Sequence, residues 1–482
     1  MKFILPVLIA LLICGPPASA ERPNVLFIAI DDLKPALGSF GDTFAKTPEM
    51  DRLAARGTVF LNNHCQQAMC AASRASLLTG MVPDRTGIWN FGEMMRQKTP
   101  DVVTLPQYFK QNGYESRGKG KIFDARNVDP AFDPVSWSIP FERPGSSDAG
   151  SESKVTTKIM DISLDRTQDG RTTTKAIEWM KEMAAEEKPF FLAVGLKKPH
   201  LPFEAPKAFW DLYPEDSIKV APFQENAKNG PEIAYHSANE MSNYEDIGKK
   251  QRKRMELPEA KQKDLIRGYY ACASMADALV GQLVQAVADL GLTEKTIVVV
   301  WGDHGWHLGD HELWCKHSTF EQATRSPLII VDPTLGHAGV RVATPTEFVD
   351  IYPTLCELAG LEIPAGLDGV SLKPLMTGEK KSVKDVARSQ WPKPFGGEAM
   401  IGYSVRSDRY RYTMWMPRIS PDMPPGPVKF EEFYDYEKDP MEMVNHLATP
   451  EYTDQVASLR RRCAEIFKLP AGHGEPMAQV SE

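Results

Sequence analysis

Four short apolar runs punctuate the chain, and each ends abruptly in polar residues. They are 24–30 (NVLFIAI) before Asp31-Asp32, 190–195 (FFLAVG) before Lys197-Lys198-Pro199-His200, 296–301 (TIVVVW) before Gly302-Asp303-His304, and 328–331 (LIIV) before Asp332-Pro333. A run without alternation marks a strand buried on both faces. Such strands interleaved with helices predict an α/β fold with a mostly parallel sheet between helical layers. The longest helix is predicted over 262–290, where Leu265, Ile266, Tyr269, Ala276, Leu279, Val280, Leu283 and Val287 supply the apolar positions and Gly291 closes it. A shorter helix is predicted from Cys70, with Leu77 and Leu78 as apolar positions and Gly80 as its stop.

Further along, the pattern changes. Segments 401–415 and 432–436 alternate as half-buried antiparallel strands do. Residues 214–259 are polar and read as a long surface excursion bordering a substrate cleft, and 371–398 mixes Lys, Gly and Pro and reads as a connector. The expected organisation is a catalytic domain over 21–370 and a smaller C-terminal α+β subdomain, with an antiparallel sheet, over 371–482. Residues 1–20 read as an export signal, with Lys2, an apolar stretch over 4–13 and the small-residue site Ala18-Ser19-Ala20. That stretch is shorter than the roughly 20 residues a membrane span needs. The protein is therefore expected to be exported, periplasmic or extracellular, without a membrane span.

Composition changes this picture little. The 482 residues are 42% hydrophobic and 25% charged, as in ordinary folded proteins. A net charge of −8 argues against a nucleic-acid partner, and it requires any anionic substrate to be held by a local cationic cluster. Of seven cysteines, Cys14 lies in the signal and the other six are scattered without metal-type spacing.

The candidate chemistry sits at one edge of the sheet, because ligands of open α/β sheets lie beyond the carboxyl ends of the strands. Asp31, Asp32 and Asp303 offer hard carboxylate oxygens there, a donor set suited to Ca²⁺ or Mg²⁺. His304 beside them leaves a transition metal open. At the predicted helix start, backbone N–H groups and Arg74 favour an anion near Cys70.

The run Cys70-Ala71-Ala72-Ser73-Arg74 is similar to the sulfatase signature Cys-x-Pro/Ala-Ser-Arg, in which an enzyme oxidises the cysteine to formylglycine. Gly120-Lys121-Ile122-Phe123, Lys198-Pro199-His200-Leu201-Pro202-Phe203, Asp303-His304-Gly305-Trp306 and Lys316-His317 follow in sulfatase order. Ile30-Asp31-Asp32-Leu33-Lys34-Pro35, Gln66-Gln67-Ala68 and Gly402-Tyr403-Ser404-Val405-Arg406 resemble the iduronate-2-sulfatase branch of that family. The resemblance covers nearly the whole chain after the signal and implies an alkaline-phosphatase-like fold. It implies Ca²⁺ held by Asp31, Asp32, Asp303, His304 and formylglycine at position 70, a maturation enzyme that makes the formylglycine, and a sulfated carbohydrate as substrate. On this reading Lys121 and Lys316 neutralise the sulfate, His200 protonates the leaving sugar and Asp303 accepts the nucleophile's proton. Trp306 is either a sugar-facing wall or core.

Two positions depart from the family pattern. Ala72 stands where the signature often has Pro. Asp124 stands where iduronate-2-sulfatase-like sequences have a His that completes turnover, so it is a replacement base, a turn residue or a structural partner of Lys121. Two further functions stay open: a formylglycine-using phosphodiesterase or phosphonate hydrolase, and an impaired protein that only binds sulfated glycans.

Overall fold

In the computed structural model, which describes residues 22–143, 154–186, 188–236, 240–247 and 256–475, strand β1 (Asn24–Ile30) lies inside a seven-stranded sheet. The export signal expected over 1–20 falls outside the described residues. The other strands are β2 (Thr58–Phe60), β3 (Glu115–Gly120), β4 (Phe190–Leu196), β5 (Thr296–Gly302), β6 (Leu328–Val331) and β7 (Val340–Val342), in the order β7-β2-β6-β5-β1-β4-β3. Every strand but β6 runs the same way. The exception has a simple cause. The chain leaves β5 at the carboxyl edge and stays there until Pro327, whose carbonyl accepts from the Gly302 N–H, so β6 starts from that edge and must run back.

Unalternating apolar strands are buried on both faces, as the sequence leads one to expect. Val25, Phe27 and Ala29 join one apolar layer with Leu77 and Leu78 of helix α1 (Cys70–Thr79). Leu26, Ile28 and Ile30 join the other, with Ala176 and Met180 of α2 (Gln168–Ala184) and Leu279 and Leu283 of α3 (Glu259–Asp289). Helix α3 is long and apolar enough to cross a bilayer, but its apolar stretch is mostly buried against the sheet and its neighbours.

Strand β3 carries no apolar pattern (ESRGKG) and is missed by periodicity. It is an edge strand held by its ladder to β4, with Arg117 paired to Glu115 and Glu182, and Lys119 to Glu142. Its last residue, Gly120, has φ +82° and lies so close to β4 that a Cβ would stand 2.1 Å from the Gly195 carbonyl oxygen.

A second, four-stranded antiparallel sheet follows: β8 (Ala387–Phe395), β9 (Glu398–Arg406), β10 (Tyr410–Pro417) and β11 (Phe430–Asp435), packed against α4 (Thr453–Ile466). Strand β8 occupies part of the segment expected to be a connector. Its Pro392 and Pro394 are tolerated because β8 is an edge strand with one partner. This sheet meets α1 directly. Trp391, Met400 and Trp415 pack on Ala71, Ala72 and Ala75, and the Gln390 N–H donates to the Gln66 carbonyl at 2.8 Å. All six cysteines among the described residues are buried and unpaired.

Candidate active site

Four adjacent parallel strands end side by side and release the polar groups in order: β3 at Lys121, β4 at 197–200, β1 at Asp31-Asp32, and β5 at Asp303-His304. Asp32 adopts a left-handed backbone (φ +60°), rare for a residue with a side chain. It is held there because its N–H donates to Asp303 Oδ1 (2.9 Å) and its carbonyl accepts from the Tyr269 hydroxyl (2.8 Å). Sequence reading assigns Tyr269 to helix packing, and the hydroxyl contact gives it a place in this frame as well.

Helix α1 delivers Cys70 to the centre of that edge. Its Sγ lies 3.4 Å from His304 Nε2, 3.7 Å from Lys121 Nζ and 3.8 Å from Asp32 Oδ1. Ser73, one turn on, donates to the Asp303 carbonyl. Arg74 is fully buried and does not face the cleft. Its guanidinium pairs with Asp31 Oδ1 and Asp303 Oδ2, each at 2.9 Å, and donates to the carbonyls of Lys121 and Ile122. The expectation that Arg74 charges an anion site beside Cys70 is therefore corrected. A planar fork with five donors instead ties three strand ends together.

Asp31, Asp32, Cys70, Asp303, His304 and His200 form two overlapping groups, in each of which the ligand atoms lie within 4.8 Å of one another. His304 Nδ1 faces the Gly305 carbonyl at 2.9 Å. A carbonyl only accepts, so Nδ1 carries a hydrogen, and Nε2, which faces Asp32 Oδ1 (3.3 Å) and the Cys70 sulfur, is the nitrogen a cation would engage. Burial opposes charge on Asp31 and Asp32. Lys121 and Arg74 nonetheless hold the Asp31 carboxyl well below the ordinary range, while burial outweighs Lys316 and His200 and pushes Asp32 up. The cluster is thus short of positive charge at Asp32, and its donors fit a hard divalent cation.

Lys316 sits between Cys315 and His317, both at positive φ (71° and 67°), on a turn that aims the side chain inward. Its Nζ lies 3.0 and 3.1 Å from the two Asp32 oxygens and 2.9 Å from Glu240 Oε2. Trp306 is completely buried, with its ring stacked on Tyr269 and 4.8 Å from the Lys316 ammonium. It is core behind Lys316, and its assignment to substrate binding is corrected. His200 is 19% exposed, with Nδ1 2.6 Å from the Leu201 carbonyl and Nε2 3.1 Å from Glu240 Oε1. Both ring nitrogens thus face acceptors.

Beside these groups opens a cleft of about 720 Å³. Lys121, His200, Lys316 and Glu240 line it, with Asp124, Arg126, Phe91 and Tyr244 among its walls. Asp124 does not pair with Lys121 as expected. Arg126 grips both its oxygens (2.8 and 2.7 Å) and lies over the Phe91 ring. Despite burial, those Arg126 hydrogen bonds hold the Asp124 carboxyl below its usual range.

Glu240 is the residue that sequence reasoning missed. It lies in the polar excursion 214–259, which does border the cleft, among acidic residues without spacing to single it out. Only its meeting with His200 and Lys316 gives it meaning.

The Sulfatase family profile matches residues 23–361, and that of the N-sulphoglucosamine sulphohydrolase C-terminal region matches 309–468. Human iduronate 2-sulfatase is 32% identical over 479 residues, covering 83% of this chain and 86% of that one. Among solved structures, the phosphonate monoester hydrolase of Agrobacterium radiobacter superposes with a TM-score of 0.74 at 22% identity, covering 92% of this chain and 95% of that one. A protein solved in complex with its substrate D-glucosamine-2-N,6-O-disulfate gives 0.72 at 21%, covering 94% and 99%.

Proposed function

The chain belongs to the sulfatase family of sulfuric ester hydrolases, and from that premise we propose that it removes a sulfate ester from a carbohydrate, in the manner of iduronate 2-sulfatase, with Cys70 converted to formylglycine and Ca²⁺ at the aspartate cluster. The observation that carries the proposal is the meeting of Lys121, Asp32 and His304 within 4 Å of the Cys70 sulfur, beside a cleft that Lys121 lines. Unmodified, Cys70 is poorly suited to attack. Burial pushes its thiol well above the ordinary range against the pull of Lys121 and Lys316, so little thiolate is present.

Asp31, Asp32, Asp303 and His304 would hold the cation, which supplies charge stabilisation and lowers the pKa of a coordinated hydroxyl. A formylglycine hydrate at position 70 supplies that hydroxyl. The chain's own groups do the rest. Lys121 and Lys316 neutralise sulfate oxygens from two sides. Asp303, anchored by Arg74 and the Asp32 N–H, receives the proton of the attacking group. His200, with Nε2 toward the cleft, donates to the departing sugar oxygen, a poor leaving group without protonation. Export and a separate maturation enzyme belong to the same proposal.

Hydrolysis of sulfated oligosaccharides, aryl sulfates and phosphonate monoesters by the mature protein tests it. Sulfate esters turned over well ahead of phosphonates support it. The reverse order makes the protein a phosphonate hydrolase, and binding without turnover makes it a glycan-binding relative.

A further inference from the structure

Sulfate and phosphate esters have the same tetrahedral shape and offer nearly the same acceptor oxygens, so the cleft cannot separate them by fit. Charge is the remaining handle. At about pH 8 a sulfate ester carries one negative charge and a phosphate monoester close to two, since its second pKa is about 6. Within this cleft Lys316, one of the two ammonium groups assigned to the sulfate, shares a single carboxylate with His200. Glu240 Oε1 is 3.1 Å from His200 Nε2 and Oε2 is 2.9 Å from Lys316 Nζ. Lys316 is 2% exposed and already paired with Asp32, and Lys121 is paired with Asp31. The ammonium groups that meet the ester are therefore each offset by a carboxylate. Among them Glu240 is the one that comes from the wall of the cleft rather than from the proposed cation cluster.

We propose that Glu240 selects the charge class of the substrate, offsetting the positive charge that Lys316 presents to the ester so that singly charged esters are accepted and doubly charged phosphate monoesters are rejected. This rests on the sulfatase reading above. Its physical basis is that a second negative charge a few ångströms from a partly buried carboxylate is repelled strongly, by enough to change relative affinity about tenfold or more. A phosphodiester or phosphonate monoester carries one charge and escapes the penalty, so the discrimination is by charge and not by the identity of the central atom.

The test is Glu240→Gln, which keeps the shape and an acceptor oxygen and removes the charge. In the mature enzyme, kcat/KM for p-nitrophenyl phosphate relative to p-nitrophenyl sulfate is expected to rise about tenfold or more. The ratio for bis(p-nitrophenyl) phosphate relative to the sulfate is expected to stay constant, and Glu240→Asp to keep the parent selectivity. A merely structural role would lower all three rates together and leave the ratios unmoved, and that result overturns the proposal. A second arm needs no turnover. On Cys70→Ala protein, calorimetry compares benzenesulfonate, singly charged, with phenylphosphonate, doubly charged at about pH 8. Glu240→Gln should improve phenylphosphonate binding relative to benzenesulfonate, and an unchanged ratio again overturns it. Should the enzyme hydrolyse no sulfate ester, the functional reading fails while this binding arm still decides the role of Glu240.

Discussion

Position 70 holds a thiol in surroundings that suppress thiolate chemistry, and the residue-scale predictions start there. Peptide mass spectrometry of active protein is expected to find formylglycine at 70, and active protein with only cysteine there would refute the proposed nucleophile. Cys70→Ala should abolish turnover and leave the melting temperature nearly unchanged, because a small buried group replaces another small one. His200→Ala should impair natural sugar sulfates far more than aryl sulfates, whose phenolate departs without a proton. Equal losses would remove His200 as the acid. Asp124 has both oxygens gripped by Arg126, which leaves it poorly placed to serve as a base. Asp124→Asn is accordingly expected to weaken substrate binding without a burst of released sugar, and a burst would restore the base role. Asp31, Asp32, Lys121, His200, Asp303, His304 and Lys316 meet at one edge of the sheet, and their gathering was readable because motif and strand end coincide at most of them. Arg74 turns to the strand ends and Trp306 takes the core reading of the two left open, since sequence does not say which side of a residue faces solvent. Glu240 was not readable, because its partners are remote in sequence.

Among the elements, the close approach of the parallel neighbours β3 and β4 does the most to place the site. A Cβ on Gly195 would stand 2.3 Å from the Lys121 carbonyl carbon, so Gly195→Ala must push that backbone away from Asp31. Stability is expected to fall by about 1–3 kcal/mol, as for other overpacked interiors, with a larger fractional loss of kcat/KM. Thermal unfolding and kinetics on the same preparation check this. The ends of β1 and β5 carry the cation prediction. Ca²⁺ at about a hundred times its Kd should stabilise the fold by roughly 2.7 kcal/mol, EDTA should reverse the shift, and Asp32→Asn should abolish it. No shift in the parent protein would argue against a resident cation. Strands β1, β4, β5 and β6 were legible as apolar runs, and α1 and α3 as periodic ones. The direction of β6 was not, because it depends on where the preceding loop returns. Strands β3 and β8 escaped because edge strands need little apolar pattern.

For the molecule as a whole, the second sheet is a buttress of the nucleophile helix. Trp415 is fully buried, its indole N–H donates to Glu432 at 2.8 Å, and its ring packs in the cluster that holds Ala71, Ala72 and Ala75. Trp415→Ala is expected to cost about 3–5 kcal/mol and to depress activity although it lies outside the cleft. A chain ending near residue 370 should not yield a soluble, protease-resistant domain, and a well-folded truncated protein would refute the buttress. This dependence was only half legible, since the alternating strands announced a sheet and not what it leans on. The near-complete burial of Cys70 also gives the protein a history. On the proposed conversion of Cys70 to formylglycine, oxidation has to win a race against folding, because a helix seated between the two sheets no longer offers its thiol to an enzyme. Chains that fold first would then be soundly built and inert. The active fraction of a preparation would record the conditions of its synthesis, and refolding without the proposed oxidising partner is expected to regenerate structure and not activity.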